Sequence, residues 1–174
     1  MTAILDVGCG FRSSHTKRGT IGIDLHRGLA EIIVDAHYLP FQSSTFDGCY
    51  AYALLEHVNN PLRVLEEIRF VLKVGGWLKI LVPTDSKLRA DHLVRILNFD
   101  IKAILREFKQ LPSEGHKWQF SERNLSRVLA RHKFAVKRVE YPPVPVIYGK
   151  KGRILTRLGF LRHPHLVVHA EKRE

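Results

Sequence analysis

The chain has 174 residues, enough for one domain with a single sizeable core, and its 45% hydrophobic and 26% charged content is that of a soluble globular protein. Lys79 interrupts the most apolar run, Trp77 to Pro83, which excludes a membrane-spanning helix there; Asp6 arrives too early for a signal peptide, and Cys9 and Cys49 form no CxxC pair, so a reduced, cytoplasmic setting is expected. The net charge of +11 is lopsided: residues 1–86 carry 8 Lys/Arg against 9 Asp/Glu, whereas residues 87–174 carry 20 against 8, so the second half offers a face for RNA or another anionic partner, or is simply a solvated basic surface.

Ala3 to Val7 is a short apolar run ending in a glycine turn, which predicts a buried strand. Thr20 to Leu25 predicts a second strand, Glu31 to Val34 a short third and Phe46 to Ala53 a fourth. Asn60 then caps a helix with Pro61 at its first position, and Leu62, Leu65, Ile68, Val71 and Leu72 recur at helical spacing along its buried face. Val74-Gly75-Gly76 is expected to stop that helix, with a strand from Trp77 to Val82. Ser86 to Leu111 reads as helical and basic. Ser121 caps a helix to about His132, and Phe134 to Tyr141 alternates as a strand. The prolines between Tyr141 and Tyr148 demand an extended loop, and Leu166 to Ala170 is the last strand. Strands alternating with helices predict an α/β fold: a doubly wound, mainly parallel sheet in one domain.

The strongest local signal is the first strand followed by Asp6-Val7-Gly8-Cys9-Gly10. Glycines at 8 and 10 let the backbone turn tightly and admit a ligand outside the carboxyl end of the strand, although a tight turn alone would also select glycine. Asp24 ends the second strand, where a carboxylate can accept both ribose hydroxyls of a nucleoside. Asp35-Ala36 follows another apolar segment, placed for an adenine edge.

Ile4 to Gly10, Ile21-Gly22-Ile23-Asp24, Asp35-Ala36 through Leu39-Pro40-Phe41, Phe46-Asp47, Leu55-Glu56-His57-Val58 and Leu72 to Gly76 together resemble class I S-adenosylmethionine-dependent methyltransferases, in particular a subfamily that includes ubiquinone-type methyltransferases. The resemblance is specific over residues 3–84. His116 to Phe120, Leu125 to Leu129 and Lys133-Phe134 resemble the segment leading to the family's sixth strand. It implies a seven-stranded Rossmann-like methyltransferase sheet with an antiparallel last strand. It implies S-adenosylmethionine as cofactor, with Gly8, Cys9 and Gly10 around its methionine part and Asp6 supporting the loop or meeting the amino group. Asp24 would hold the ribose and Leu25 would lie against the adenine. Asp35 and the Ala36 amide would meet the adenine edge, and Ala51 and Leu54 would line the sulfonium side.

The sequence also departs from that family. Arg12 stands where a third small residue is usual, and Phe11 to Gly19 shows no apolar stripe, so Arg12 or Lys17 is expected to pair with the cofactor carboxylate in place of a helix N-terminus. The chain begins at the first strand, a shortened N-terminus that predicts an open active site sealed by residues 86–120, a partner or the substrate. Should the acceptor arrive protonated, His57 and His116 are the candidate bases. No metal site is expected; His163-Pro164-His165 with His169 comes nearest. Tyr50-Ala51-Tyr52-Ala53 occupies the place where base-amino methyltransferases carry an Asn-Pro-Pro-Tyr-type sequence, which disfavours exocyclic base amines as acceptors. The functional readings are methylation of a small molecule, methylation of RNA through the basic half, or a non-catalytic cofactor-binding or interaction protein. A nicotinamide dehydrogenase is disfavoured, because Gly8 to Ser13 lacks the third glycine of that fingerprint.

Overall fold

The computed structural model describes residues 2–10, 20–28, 30–83, 116–141 and 165–174. Strands β1 (Ile4–Val7), β2 (Thr20–Asp24), β3 (Ile32–Ile33), β4 (Phe46–Tyr52), β5 (Leu72–Pro83), β6 (Phe134–Glu140) and β7 (His165–Lys172) form a seven-stranded sheet in the order β3-β2-β1-β4-β5-β7-β6. β1 pairs in parallel with β2 and β4, β2 with β3, and β4 with β5, while β7 runs antiparallel to both β5 and β6. This is the mainly parallel sheet with an antiparallel last strand that the sequence predicts. Strands flanked on both sides bury most of their side chains, and Leu5, Val7, Ile23, Cys49, Ala51, Leu78, Ile80, Val82, Leu166 and Val168 all sit in the core.

Two helices lie among the described residues. In α1 (Pro61–Val71) the Asn60 side chain accepts from Arg63 N at 3.1 Å, satisfying one of the free amides of the first turn. Its buried face is Pro61, Val64, Leu65, Ile68 and Val71. Leu62, expected on that face, is 45% exposed instead: it stands one residue, about 100°, from Pro61 and so points away from the sheet. In α2 (Glu122–Arg131) Ser121 and Asn124 cap each other's backbone, and Leu125 and Leu129 are buried. No helix of the described residues is long and apolar enough to cross a membrane.

The glycine stop after α1 is not where the sequence places it. Leu72 is already extended and ends the helix with its N–H bonded to Ile68 O, and β5 starts there without a loop. Gly75 (φ +76°) instead falls beside a shift in the β4–β5 register between Phe46 and Gly48. A Cβ on Gly48 would lie 2.0 Å from the Trp77 ring, so the indole crosses the sheet over bare backbone. The helical segment expected over Ser86 to Leu111, and the proline-rich residues 142–148, lie outside the described residues.

The topology fixes where a ligand can sit. From β1 the chain moves outward through β2 to β3, then returns to pair β4 on the other flank of β1. Connections therefore diverge between β1 and β4, and the crevice of an open α/β sheet lies at the carboxyl ends of such strands.

Candidate active site

The residues that follow β3, β2, β1 and β4 line that crevice in the order of those strands across the sheet. After β1, Gly8 and Gly10 both hold positive φ, +74° and +61°, which L side chains rarely adopt. The amides of Gly8 and Cys9 donate to Ile23 O at 2.8 and 3.1 Å, drawing the loop onto β2. A Cβ on Gly8 would come within 2.8 Å of Leu54 Cδ1, whereas one on Gly10 would meet nothing within 4 Å. The loop thus packs tightly against Leu54 at one glycine and, among the described residues, meets nothing at the other.

Asp24 closes the next side. Its Oδ2 accepts from Gly10 N and its Oδ1 from His26 N, both at 2.9 Å. A carboxylate has about four acceptor directions, so two remain for a ribose diol. Leu25, next in sequence, is 61% exposed: an apolar surface laid open where the resemblance places the adenine. Asp35 Oδ1 takes both the amide and the ring Nδ1 of His37, at 2.9 and 2.5 Å. The His37 amide, aided by the ring, holds the Asp35 carboxyl below its usual range. Ala36 is buried beside it.

Below the loop, Asp6 is buried. Glu31 reaches back over β2 to accept from Gly22 N at 2.6 Å, and a side chain at Gly22 would strike both Glu31 and the Cys9 sulfur. Burial first, then Asp6, Asp24 and Glu31, push the Cys9 thiol up to about 11, so it is a packing group and not a nucleophile. Burial likewise pushes the fully buried Cys49 thiol well up, and both cysteines are free.

Beyond β4 the backbone turns through Ala53, a non-glycine residue at φ +48° whose amide donates to Leu81 O at 2.9 Å. That turn sets Leu54 against Gly8. Ala51 itself is fully buried within β4. Tyr52 belongs to a different cluster, edge-on to Tyr50 at 5.4 Å, with Tyr50 in turn 4.8 Å from Trp77. Burial, reinforced by Tyr50, Asp6 and Glu140, pushes the Tyr52 phenol up to about 12 and keeps it neutral.

His57 and His116 meet: their ring centroids are 4.7 Å apart at 66°. The contact is built by backbone. The amides of Lys117 and Trp118 donate to Glu56 O at 2.7 and 3.3 Å, Trp118 Nε1 to Val58 O at 2.8 Å, and Lys117 Nζ to Asn59 Oδ1 at 2.6 Å. Glu56, between them, is 1% exposed, and burial raises its carboxyl above the ordinary range. The sequence singles out the two histidines but neither Glu56 nor Ala53; an acid in an otherwise apolar stretch just after a buried strand is the signal that could have found Glu56. Arg12 and Lys17 lie outside the described residues, as does His163; His169 Nε2 lies 2.9 Å from Glu140 Oε1.

Residues 5–80 match the family model described as a methyltransferase domain. Among solved structures, an S-adenosylmethionine-dependent methyltransferase from Listeria monocytogenes superposes with a TM-score of 0.67 at 16% identity, covering 99% of this chain and 92% of that one. The fold is that of a class I methyltransferase. The 1,6-didemethyltoxoflavin-N1-methyltransferase of Burkholderia thailandensis, solved with S-adenosylhomocysteine, superposes with a TM-score of 0.65 at 18% identity over 99% of this chain and 71% of that one. The match over residues 5–80 and this fold support S-adenosylmethionine as the cofactor. By sequence, the chain is 34% identical over 89 residues to the mouse mitochondrial arginine-hydroxylase NDUFAF5, covering 41% of this chain and 26% of that protein. It therefore spans about a quarter of the length of that curated relative.

Proposed function

We propose that this methyltransferase-fold chain carries a methyl group from S-adenosylmethionine to a small-molecule acceptor. The observation that carries the reading is the convergence of the Gly8–Gly10 loop, Asp24 and Asp35 at the carboxyl ends of adjacent strands. Gly8, Cys9 and Gly10 hold the methionine part through backbone, with Asp6 beneath them; Asp24 takes the ribose, Leu25 covers the adenine, and Asp35 with the Ala36 amide reads its edge. Arg12 or Lys17, both outside the described residues, is the proposed partner of the amino-acid carboxylate. Leu54, with Ala51 behind it, bounds the sulfonium side.

The cofactor supplies an already activated methyl, so what remains for the chain is to align the acceptor, keep water away and accept a proton where one must leave. The His57–His116 edge stands beyond Leu54 and is where the acceptor is placed. Within the wider family, Leu55-Glu56-His57-Val58 sets the chain near the ubiquinone-type methyltransferases, and the two buried, free thiols favour a reducing cytoplasmic setting. Residues 1–86 form the cofactor half of a single domain and residues 87–174 the acceptor half.

A second reading, an RNA acceptor, is favoured by one feature: Arg123, Arg127 and Arg131 recur at four-residue spacing on α2 and are all exposed, a basic stripe suited to phosphates. The hydroxylase activity in the name of NDUFAF5 adds a third outcome, oxygen addition, because fold does not fix reaction. Incubating the chain with methyl-labelled donor and fractionated cell extract, with RNA and small molecules kept apart, tests all three. Label in a small molecule supports the proposal; label only in RNA replaces it with the second reading. Donor left unconsumed, or a product gaining oxygen instead of methyl, overturns methyl transfer.

A further inference from the structure

In the loop after β4, beside the His57–His116 edge, Glu56 is a buried group that methyl transfer as proposed does not use. Glu56 is 1% exposed, and among the described residues its buried Oε2 has no hydrogen-bond partner. A buried carboxylate oxygen left unpartnered is costly, and such an atom calls for an ion or an ordered water. One donor atom from each of Glu56, His57 and His116 lies within 4.8 Å of the other two. We propose that Glu56, His57 and His116 form a binding site for a divalent first-row transition-metal ion.

The chemistry of the set selects the ion. Two imidazoles and one carboxylate suit Zn²⁺, Fe²⁺, Co²⁺ or Mn²⁺, whereas Ca²⁺ and Mg²⁺ prefer all-oxygen shells. Bonds of about 2.0–2.1 Å around a tetrahedral ion hold neighbouring ligand atoms roughly 3.3 Å apart, so a pair at the full 4.8 Å must close by about 1.5 Å. The three residues are unequal in freedom, and the inequality helps. Glu56 is fixed in the interior, His116 is half-buried and held by the neighbouring amides of Lys117 and Trp118, and His57 is exposed with its ring already against that of His116. Three protein ligands leave at least one position open, the arrangement of a reactive site and not of a structural one. The His57 amide donates to Leu54 O at 2.9 Å and Leu54 packs on Gly8, which ties the site to the Gly8–Gly10 loop and leaves the open position for a further ligand. A donor atom of the acceptor can occupy it.

The site stands independently of the methyl-donor reading, because metal binding needs no cofactor. The test is titration of the chelator-stripped full chain with Co²⁺, following visible d–d absorption and the melting temperature. Saturation at one Co²⁺ per chain is expected, with a rise in melting temperature. His116→Ala and His57→Ala should each weaken binding by at least the roughly 10–100-fold that loss of an outer-shell partner costs. His57, being exposed, keeps the test valid should His116→Ala fail to fold. Absence of saturable absorption, or binding unchanged in His57→Ala, overturns the proposal, the latter result placing the ion on other histidines.

Discussion

Asp24 is proposed to act twice, on the loop and on the ligand, and replacing it separates the two. Its carboxylate accepts two backbone N–H bonds, each at 2.9 Å, from Gly10 and His26. Hydrogen bonds to a charged group contribute about 1.5–3 kcal/mol when well shielded; Asp24 is only half-buried, so the lower end applies and Asp24→Ala should cost about 2–3 kcal/mol. For a chain of this size that lowers the melting temperature by roughly 4–12 °C. Losing the acceptor for two ribose hydroxyls removes about 3 kcal/mol of binding, or roughly 100-fold in Kd. Asp24→Asn keeps one acceptor oxygen in the same shape and should fall between, near 10-fold on order of magnitude. Calorimetric titration with S-adenosylhomocysteine, beside scanning calorimetry, reads both effects. An Asp24→Ala protein that melts lower yet binds within about twofold of wild type would reduce Asp24 to a brace for the Gly8–Gly10 loop and refute its ligand role.

Gly8→Ala forces a Cβ at φ +74° to within 2.8 Å of Leu54, and the loop must shift; donor affinity should fall at least about tenfold by the same titration, while Gly10→Ala, whose Cβ meets no described residue within 4 Å, should act through its φ of +61° and through the ligand. Gly48→Ala puts a Cβ 2.0 Å from Trp77, so calorimetry should show a loss of roughly 2–3 kcal/mol or more, partly restored by adding Trp77→Leu. Asp35 has a folded-state pKa depressed chiefly by the His37 amide, so its contribution is present above the ordinary carboxylate range near 3.8 and is lost as pH falls through the lower folded value. Asp35→Asn should therefore flatten the acid limb of the stability profile and leave the neutral plateau's slope unchanged.

Much of this architecture is legible in the chain because its signals are local. Short apolar runs ending in Gly8 or Asp24 are buried parallel strands, and Asn60-Pro61 marks a helix start with its own cap. The expectations that failed had a local signal outvoted by tertiary pairing. Gly75-Gly76 looks like a loop, yet the β4–β5 ladder absorbs both glycines where its register shifts. Leu62 is apolar, yet the sheet takes Pro61 and Val64 as the face of α1. The two histidines and Glu56 each carry a local signal, but their meeting does not: it is made by bonds from the Lys117 and Trp118 amides to a distant loop, a contact that neither periodicity nor spacing encodes.

The account depends above all on an adenosyl ligand held between the Gly8–Gly10 loop and the carboxylates of Asp24 and Asp35. Thermal melting of the full chain with S-adenosylhomocysteine at about 100 times its Kd measures this directly. Binding to the native state alone should contribute about 2.7 kcal/mol, a rise in melting temperature of roughly 5–11 °C, with adenosine giving a smaller rise. No shift with either ligand at saturating concentration would contradict the account and leave only the fold.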